Sequence, residues 1–343
     1  MKFPTPVCRI LVLLILQLSL SPVCLGFGFL APVAVGVSSV VLGTICHFKE
    51  CCSERGIPAN FSGLEDALEK RLYGQHLVQD IVVNALRSHW DGAHKPQKAL
   101  TLSFHGWPGS GKNYVTRFIV ENMYAAGIKS NFVNQFIGRI HFPLQENVAQ
   151  YQEDLYKWIK GNVTKCSKQL FIFDEVDKMP SQVLNVIKPM IDYREDVDGT
   201  DYRESVFIFL SNTGANLINE HFLDLWKKQG RKREDLKLKD FEMLISKGAF
   251  NEEGGFHHSD TIKSNLIDHY VPFLPMERRH IKLCIIDEFK ERKVMNPQEE
   301  HINEAMEFIE WGPSAEKVFS TTGCKRISQK VGTIVSKYKL HIK

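Results

Sequence analysis

A short glycine-rich stretch has the composition and spacing of a phosphate-binding loop. It lies between an apolar run (residues 102–104) and an amphipathic run (residues 114–126), and its sequence is His105-Gly106-Trp107-Pro108-Gly109-Ser110-Gly111-Lys112-Asn113. The glycines allow the backbone to curl so that successive N–H groups point at phosphate oxygens. Lys112 would add a positive charge for the outer phosphates, and the helix that begins near it would add the positive end of its dipole. We therefore predict that residues 106–113 bind the phosphates of a nucleotide.

The last residue of this loop departs from the usual pattern. Such loops have Ser or Thr after the lysine, where the hydroxyl is a ligand to Mg²⁺, and this chain has Asn113. The carboxamide oxygen of Asn113 is a ligand that Mg²⁺ accepts in proteins. We therefore predict that Asn113 takes the place of the hydroxyl at the metal, with a shifted geometry.

Polar residues follow two other apolar runs that are typical of central parallel strands. Asp174 and Glu175 come directly after residues 170–173, and Asn212 comes shortly after residues 206–210. Ligands of open α/β sheets bind at the carboxyl ends of the strands. An Asp there can hold Mg²⁺ through water, and a Glu there can polarise an attacking water. Asn212 either orients that water and contacts the terminal phosphate or caps the helix that follows.

Periodicity along the rest of the chain predicts an α/β fold, with a parallel sheet flanked by helices and a small helical subdomain after it. Apolar residues recur at helical spacing in residues 64–72, 76–89, 150–159, 215–227, 277–292, 298–309 and 325–338. Two prolines around apolar residues suggest a stiff connector at residues 271–275. We therefore place the large nucleotide-binding subdomain at residues 53–270 and the small subdomain at residues 271–343.

A strand-like run at residues 131–142 has two interpretations. Its segment Phe136-Ile137-Gly138 resembles the aromatic-apolar-glycine pore loop of ring-shaped unfoldases. The alternative is a buried strand, which the surrounding apolar residues favour.

The composition suits one or two globular domains, with 43% hydrophobic and 24% charged residues among 343. The formal net charge of +3 is too small to indicate nucleic-acid binding. The densest basic cluster, residues 227–233, is either a solvated loop or a nuclear-import signal. Because acidic residues follow it directly and a secretory signal precedes it, we favour the loop and expect no nucleic-acid partner.

The N-terminus has the pattern of a secretory signal peptide at residues 1–26. Lys2 and Arg9 give a basic start, residues 10–20 are apolar, and small residues near Gly26 suit cleavage; an uncleaved anchor is the alternative. Residues 27–46 carry no charge and approach the ~20 residues that a spanning helix needs. Pro32 and the small residues favour a hairpin or a segment lying in the membrane surface over a full span or a buried helix. We assign residues 27–52 to this membrane-associated segment.

Entry into an oxidising lumen would allow disulfides and glycosylation. The acceptor triplets begin at Asn60 and Asn162, and we favour Asn162 because Asn60 is close to the membrane-associated segment. The eight cysteines are Cys8, Cys24, Cys46, Cys51, Cys52, Cys166, Cys284 and Cys324. The sequence does not choose among pairings of Cys46, Cys51, Cys52 and Cys166.

Several of these motifs, in this order, resemble the torsins, a family of AAA+ ATPases. The phosphate loop with Asn113 has the torsin form, and four further phrases match: Phe171-Ile172-Phe173-Asp174-Glu175-Val176-Asp177-Lys178-Met179, Phe207-Ile208-Phe209-Leu210-Ser211-Asn212, Asp268-His269-Tyr270-Val271-Pro272-Phe273-Leu274-Pro275 and Gly323-Cys324-Lys325. The resemblance runs from about residue 46 to past residue 325. The signal and apolar N-terminus also resemble the torsin-1A/1B type.

The resemblance implies an enzyme that binds and hydrolyses ATP with Mg²⁺. By motif position, it implies that Asp174 and Glu175 are the Walker B pair, that Asn212 is sensor 1 and that Lys325 is sensor 2. Lys112 and Lys325 would both act on the phosphates. Cys324 matches the cysteine of the torsin sensor 2 motif, and Cys284 matches its partner. A disulfide between them would clip the last helix to the first helix of the small subdomain.

The resemblance also implies partners and a location. Torsins lack an arginine finger and obtain one from membrane-bound activators with ATPase-like lumenal domains, of the lamina-associated polypeptide type. The family acts in the endoplasmic reticulum lumen and the perinuclear space, as homo- or hetero-oligomers with peripheral membrane association. Its expected roles are protein quality control, chaperone-like remodelling and organisation of these membranes. Two alternatives are a nucleotide-gated binding or scaffold protein with slow hydrolysis, and a ring-forming unfoldase.

Overall fold

The computed structural model describes residues 50–340, except for residues 93, 260–261, 263–264 and 314–315. The predicted signal peptide and all but the last three residues of the predicted membrane-associated segment lie outside the described residues. Within the described part of the chain, no helix is long and apolar enough to cross a membrane.

Regular elements form at nearly all of the periodic runs. The helices in the described residues are α1 (Phe61–Arg71), α2 (His76–Trp90), α3 (Lys112–Met123), α4 (Gly138–His141), α5 (Val148–Val163), α6 (Lys188–Ile191), α7 (Ala215–Gln229), α8 (Glu242–Asn251), α9 (Arg278–Glu291), α10 (Glu299–Glu307) and α11 (Ile327–Lys337). The strands there are β1 (Leu100–His105), β2 (Val133–Ile137), β3 (Leu170–Asp174), β4 (Val206–Ser211), β5 (His269–Pro272), β6 (Trp311–Gly312) and β7 (Phe319–Ser320).

The main sheet has five parallel strands in the order β2-β3-β4-β1-β5. In its register, Val206 of β4 lies between Leu100 of β1 and Leu170 of β3. Because the strands run in one direction, their carboxyl ends meet at one edge of the sheet. This edge carries the glycine-rich loop after β1, the acid pair at the end of β3 and Asn212 after β4. The predicted α/β fold with a parallel sheet is confirmed.

Alternate residues of the strands pack on opposite faces of the sheet. On one face, phenylalanine rings form a row across three strands: Phe136 stacks on Phe173 and Phe173 on Phe209, with ring centroids 5.1 and 5.3 Å apart. On the other face, Ile172 and Ile208 pack in one cluster with Phe104 of β1 and with side chains of α1, α2 and α3. The row places Phe136 in a strand packed on the core. The strand interpretation therefore holds for Phe136 and Ile137, but this edge strand is only half-buried and Gly138 begins α4.

The interpretation of residues 271–275 as a stiff connector is partly wrong. His269–Pro272 forms β5, which pairs with β1 at the edge of the sheet. A proline is tolerated in an edge strand because its missing N–H costs no ladder hydrogen bond on the outer side. The sheet therefore reaches Pro272, and the turn into α9 is made by residues 273–277.

Residues 276–340, which we call the helical subdomain, have a core of their own. It includes Ile285 and Phe289 of α9, Ile302 of α10, and Val331 and Val335 of α11. The antiparallel pair β6 and β7 precedes α11. All three helices predicted here are present.

Two disulfides cross-link the described residues. Cys284 of α9 is bonded to Cys324, just before α11, as the family resemblance implied. Cys52 is bonded to Cys166, which is buried just before β3. The sequence had left the second pairing open, because it depends on a contact across 114 residues of chain.

Candidate nucleotide site

A cleft of about 1000 Å³ opens at the carboxyl edge of the sheet, where the helical subdomain approaches it. Most of the site residues predicted from the sequence line it: Pro108, Gly109, Ser110, Gly111, Lys112, Asn113, Asp174, Glu175, Asn212 and Lys325. Gly106 and Trp107 are not among its lining residues. The indole of Trp107 instead donates a hydrogen bond to Asn216 Oδ1 over 2.9 Å.

The shape of the glycine-rich loop depends on left-handed glycines and on the helical subdomain. Gly109 and Gly111 have φ angles of +80° and +113°, a region that favours glycine. A Cβ at Gly109 would lie 1.8 Å from the carbonyl oxygen of Thr322. The backbone N–H of Cys324 donates to the Gly109 carbonyl over 3.2 Å. The segment before α11 is therefore packed directly on the loop.

The start of α3 offers a site for an anion. Its N-cap is Gly111, which has no side chain to accept hydrogen bonds from the first turn. The residues that carry these N–H groups line the cleft. Free N–H groups and the positive end of the helix dipole together favour negative charge, as a phosphate would bring.

Lys112 is almost fully buried and is held by three oxygens. Its Nζ donates to the carbonyls of Gly106 and Trp107 over 2.5 and 3.1 Å, and to Asn212 Oδ1 over 3.0 Å. Burial lowers the pKa of Lys112 to about 8, although Asp177 and Asp174 act in the opposite direction. A phosphate oxygen beside this ammonium group would favour its charged form further.

Asp174 is held in place by two N–H donors at the end of β3. Its Oδ1 accepts from the backbone N–H of Glu175 over 2.8 Å, and its Oδ2 accepts from Asn113 Nδ2 over 3.0 Å. The amide nitrogen of Asn113 thus faces the carboxylate, and its oxygen lies on the other side of the amide. In this arrangement Asn113 positions Asp174.

Glu175 adopts a left-handed backbone conformation, with φ of 54°. Such a conformation costs a non-glycine residue roughly 1–3 kcal/mol and often occurs at functional sites. The carboxylate is 37% exposed at the cleft, and Arg139 Nε lies 3.7 Å from its Oε2. The turn therefore presents Glu175 to the cleft, where it can accept a proton from a bound water.

Asn212 is fixed by Asp177, a residue to which the sequence assigned no role. Asp177 Oδ1 accepts from the backbone N–H of Asn212 over 3.0 Å, and both carboxylate oxygens lie 3.3 Å from Asn212 Nδ2. Burial opposes the charge of Asp177, but hydrogen bonds from Asn212 and Lys178 keep its pKa below the usual range. The helix-capping interpretation of Asn212 is wrong, because the N-cap of α7 is Gly214.

Two more buried residues that sequence reasoning missed hold the edge of the sheet together. His105 Nδ1 donates to the carbonyl of Thr213 over 2.9 Å, so its Nε2 accepts from Ser103 Oγ over 2.7 Å. Gln75 bonds the glycine-rich loop to the chain after β5. His105 ends an apolar run and Gln75 lies between Gly74 and His76, so the local sequence gives no signal for the role of either one.

Lys325 and the Cys284–Cys324 disulfide lie at the side of the cleft formed by the helical subdomain. Lys325 is exposed, and its charge contributes to the lowered pKa of Lys112. Two lysines thus direct positive charge at one cleft from two parts of the fold.

The residues present fit a magnesium ion that arrives with a nucleotide. Among the described residues, no three His, Cys, Asp or Glu side chains are grouped as a metal cage. Magnesium is usually held by one or two protein ligands together with substrate phosphates and waters. Asp174 meets that requirement, with Asn113 beside it.

A five-stranded parallel sheet with this loop, acid pair and asparagine at its carboxyl edge defines a P-loop protein of the AAA+ fold. The structure is similar to a chain of the S. cerevisiae Hsp104-ADP complex, with a TM-score of 0.57 and 20% sequence identity over 87% of this chain and 50% of that one. A second Hsp104 structure, in a closed state with ATPγS and FITC-casein, gives a TM-score of 0.54 at 19% identity. At these identities the likeness shows the fold alone.

Sequence comparisons narrow this class to one family. The family model described as Torsin matches residues 46–173, and the model of the Torsin-1A C-terminal domain matches residues 276–332. A torsin-like protein of Drosophila melanogaster is 39% identical over 98% of this chain and 99% of its own length. Human Torsin-3A is 40% identical over 85% of this chain and 74% of its own. The chain belongs to the torsin family.

Proposed function

We propose that this protein hydrolyses ATP at the described cleft and that a membrane-bound activator completes the site. The observation that carries the proposal is the convergence of Lys112, Asp174, Glu175 and Asn212 at one edge of the sheet, beside the uncapped start of α3. Family membership supports nucleotide binding and hydrolysis in general terms.

Each residue of the site has a role that follows from its position. Lys112 and the N–H groups of α3 bind the phosphates, and Lys325 approaches them from the helical subdomain. Glu175 accepts a proton from the attacking water. Asn212, held between Lys112 and Asp177, orients that water. Asp174 and Asn113 would hold magnesium, which would neutralise charge that develops on the phosphates.

The need for an activator is supported by the state of the arginines around the cleft. In the described part of the chain, the arginines that line it are Arg71, Arg117 and Arg139. Each lies within ion-pair distance of a glutamate of this chain, at 3.1 Å for Arg71 and Glu291, for example. An arginine finger contributes ~10³- to 10⁵-fold in related phosphoryl transfer. We propose that the lumenal ATPase-like domain of a lamina-associated polypeptide type of activator supplies it.

The cellular part of the proposal rests on the family and on the N-terminal sequence. We place the protein in the endoplasmic reticulum lumen and the perinuclear space, peripherally associated with the membrane and assembled as a homo- or hetero-oligomer. Asn162 and Asn60 would carry glycans there. Remodelling of proteins and membranes in these compartments is the proposed role.

Affinity capture with the Glu175→Gln variant tests the proposal. Glutamine keeps the shape of the side chain but cannot accept the proton, so the variant should bind ATP and hold its partner. We expect an activator with an ATPase-like lumenal domain to be recovered with ATP and lost without it. Wild-type protein in the same assay is the control. Absence of ATP binding by either form would refute the proposal.

A further inference from the structure

The side chain of Gln75 makes three hydrogen bonds to backbone groups in two distant parts of the chain, and a weaker one to Met276 Sδ over 3.7 Å. It is 1% exposed and lies just before α2. Its Nε2 donates to the carbonyl of Ser110 in the phosphate loop over 3.0 Å and to the carbonyl of Leu274 over 2.8 Å. Its Oε1 accepts from the N–H of Leu274 over 2.9 Å. One buried amide therefore joins the phosphate loop to the turn that leads into α9.

A second buried side chain, that of Arg233, reinforces the same junction. It bonds the neighbours of Gln75 and Leu274, namely Gly74 and Pro275. Arg233 is 4% exposed and donates through Nε to the carbonyl of Gly74 over 2.6 Å. Its Nη1 donates to the carbonyl of Pro275 over 2.8 Å and to Glu277 over 2.9 Å. Arg233 is the last residue of the basic cluster that the sequence suggested was a solvated loop. Its burial makes it a structural part of this junction instead.

The helical subdomain returns to the phosphate loop by a second route. From the turn held by Gln75, α9 leads to Cys284, and the disulfide leads to Cys324. The N–H of Cys324 bonds to the carbonyl of Gly109. These bonds form a closed path that leaves the loop at Ser110 and returns to it at the adjacent residue, Gly109. The carbonyls of Ser110 and Gly109 are therefore the two points at which this path contacts the loop.

We infer that Gln75 is a positioning residue for nucleotide binding, which fixes the phosphate loop relative to the helical subdomain. Gln75 acts through the Ser110 carbonyl and the turn at Leu274. Its loss would free one end of the closed path and let the loop shift relative to Gly109. The part of this inference that concerns nucleotide rests on the proposed function.

The test uses two methionine variants of the full-length protein. Gln75→Met keeps the length of the side chain and removes the three hydrogen bonds to backbone groups together with the weaker one to Met276. The matched control is Gln79→Met, because Gln79 is half-buried in the same helix region and donates to two backbone carbonyls, Leu68 and Leu72, over 2.9 and 3.1 Å. Gln75→Asn keeps a neutral amide but is one methylene too short to reach both partners, which provides a milder variant if the methionine form does not fold.

Two readouts separate positioning from a general effect on stability. Hydrogen exchange of the nucleotide-free protein should rise about tenfold at residues 106–113, 273–277 and 322–325 in the Gln75 variants, the change expected for one lost hydrogen bond. Binding of a fluorescent ATP analogue should weaken by a similar factor well below the unfolding temperature. Gln79→Met should change neither. Wild-type exchange in these segments of both Gln75 variants would overturn the inference, whether or not the protein binds ATP. Failure of the wild-type protein to bind ATP would instead refute the proposed function.

Discussion

The side-chain oxygen of Asn212 accepts a hydrogen bond from Lys112 Nζ over 3.0 Å. The amide nitrogen of the same asparagine faces Asp177. Asn212 therefore lies between Lys112, which would bind phosphate, and Asp177, whose carboxylate fixes the orientation of the Asn212 amide. If a bound phosphate took the place of Asn212 as a partner of Lys112, the asparagine would keep only its contacts to Asp177.

Asp177→Asn should slow ATP turnover by about ten- to a hundredfold, the range that corresponds to loss of one hydrogen bond to a charged group. The substitution keeps the shape of the side chain, but the amide nitrogen cannot accept a hydrogen bond. The variant therefore cannot accept all the hydrogen bonds that the Asp177 carboxylate accepts. Steady-state turnover with an activator present gives the measurement. Asp201→Asn is the control, since Asp201 bonds Arg203 far from the cleft. Equal effects of the two substitutions would argue against a special role for Asp177.

Asn113→Thr should replace a residue that positions Asp174 with one that binds magnesium directly. Threonine offers the hydroxyl that phosphate loops usually give to magnesium, and it loses the amide that holds Asp174. We expect tighter magnesium-dependent ATP binding, by about tenfold if the hydroxyl adds one bond to a charged group. Titration of ATP analogue at several magnesium concentrations measures this. If threonine leaves the magnesium dependence unchanged, Asn113 does not lie at the metal.

Loss of the Cys284–Cys324 disulfide should affect stability and nucleotide binding together. Chain-entropy arguments give about 4 kcal/mol for closing a loop of this size. Because Cys324 bonds to the phosphate loop, Cys284→Ser with Cys324→Ser should also weaken ATP binding about tenfold, as for one lost hydrogen bond. Urea unfolding and ATP-analogue titration measure the two effects.

The second disulfide provides the matched control for this experiment. Replacing Cys52 and Cys166 by Ser should lower the free energy of unfolding by about 5 kcal/mol, slightly more than for the other pair, because the loop that they close is longer. Neither Cys52 nor Cys166 is among the residues that line the cleft. ATP binding by the double variant should therefore stay near the wild-type value. Equal loss of affinity in both double variants would mean that the effect is not transmitted through Cys324.

The protein should become less stable as the pH falls from about 6.5 to 4. Burial lowers the pKa of His105 to about 4, so between these values the unfolded chain takes up a proton that the folded state does not. Stability from the neutral ring is complete above pH 6.5 and is lost below it, by up to about 3 kcal/mol. His105→Asn keeps a donor to the Thr213 carbonyl and should reduce this acid sensitivity in urea unfolding at pH 7.5 and 5.

A control for the pH experiment is His94→Asn, since His94 is exposed. This variant should unfold with the same pH dependence as the wild type. If His105→Asn and His94→Asn behave alike, the acid sensitivity arises elsewhere, for instance at the buried His280, whose pKa is also lowered to about 4 by burial.

Local patterns were enough to predict most of the sheet and the centre of the site. The runs at residues 170–173 and 206–210 are wholly apolar because both faces of their strands are covered, and this gives a strong signal. Asp174 and Asn212 stand at the ends of these runs, so the sheet edge that unites them follows from parallel strand direction alone. The phosphate loop is a local motif with its own chemistry.

The parts that the sequence did not predict depend on distant contacts. β5 contains Pro272, and proline in an apolar run indicates a break unless the strand is known to be at an edge. Gln75 gains its role from a bond to Leu274, which is 199 residues away in the chain. Arg233 looked like part of a solvated basic cluster because only the fold shows that Pro275 and Glu277 surround it.

The dependence of hydrolysis on an activator is tested by ATP turnover of the purified full-length protein, with and without the lumenal domain of an activator. We expect little turnover by the wild type alone and a rise of ~10³-fold or more when the activator supplies its arginine. Glu175→Gln should bind ATP but show no such rise, because the general base contributes ~10²- to 10⁴-fold. Rapid turnover by the isolated wild type, or equal turnover by Glu175→Gln, would contradict the account.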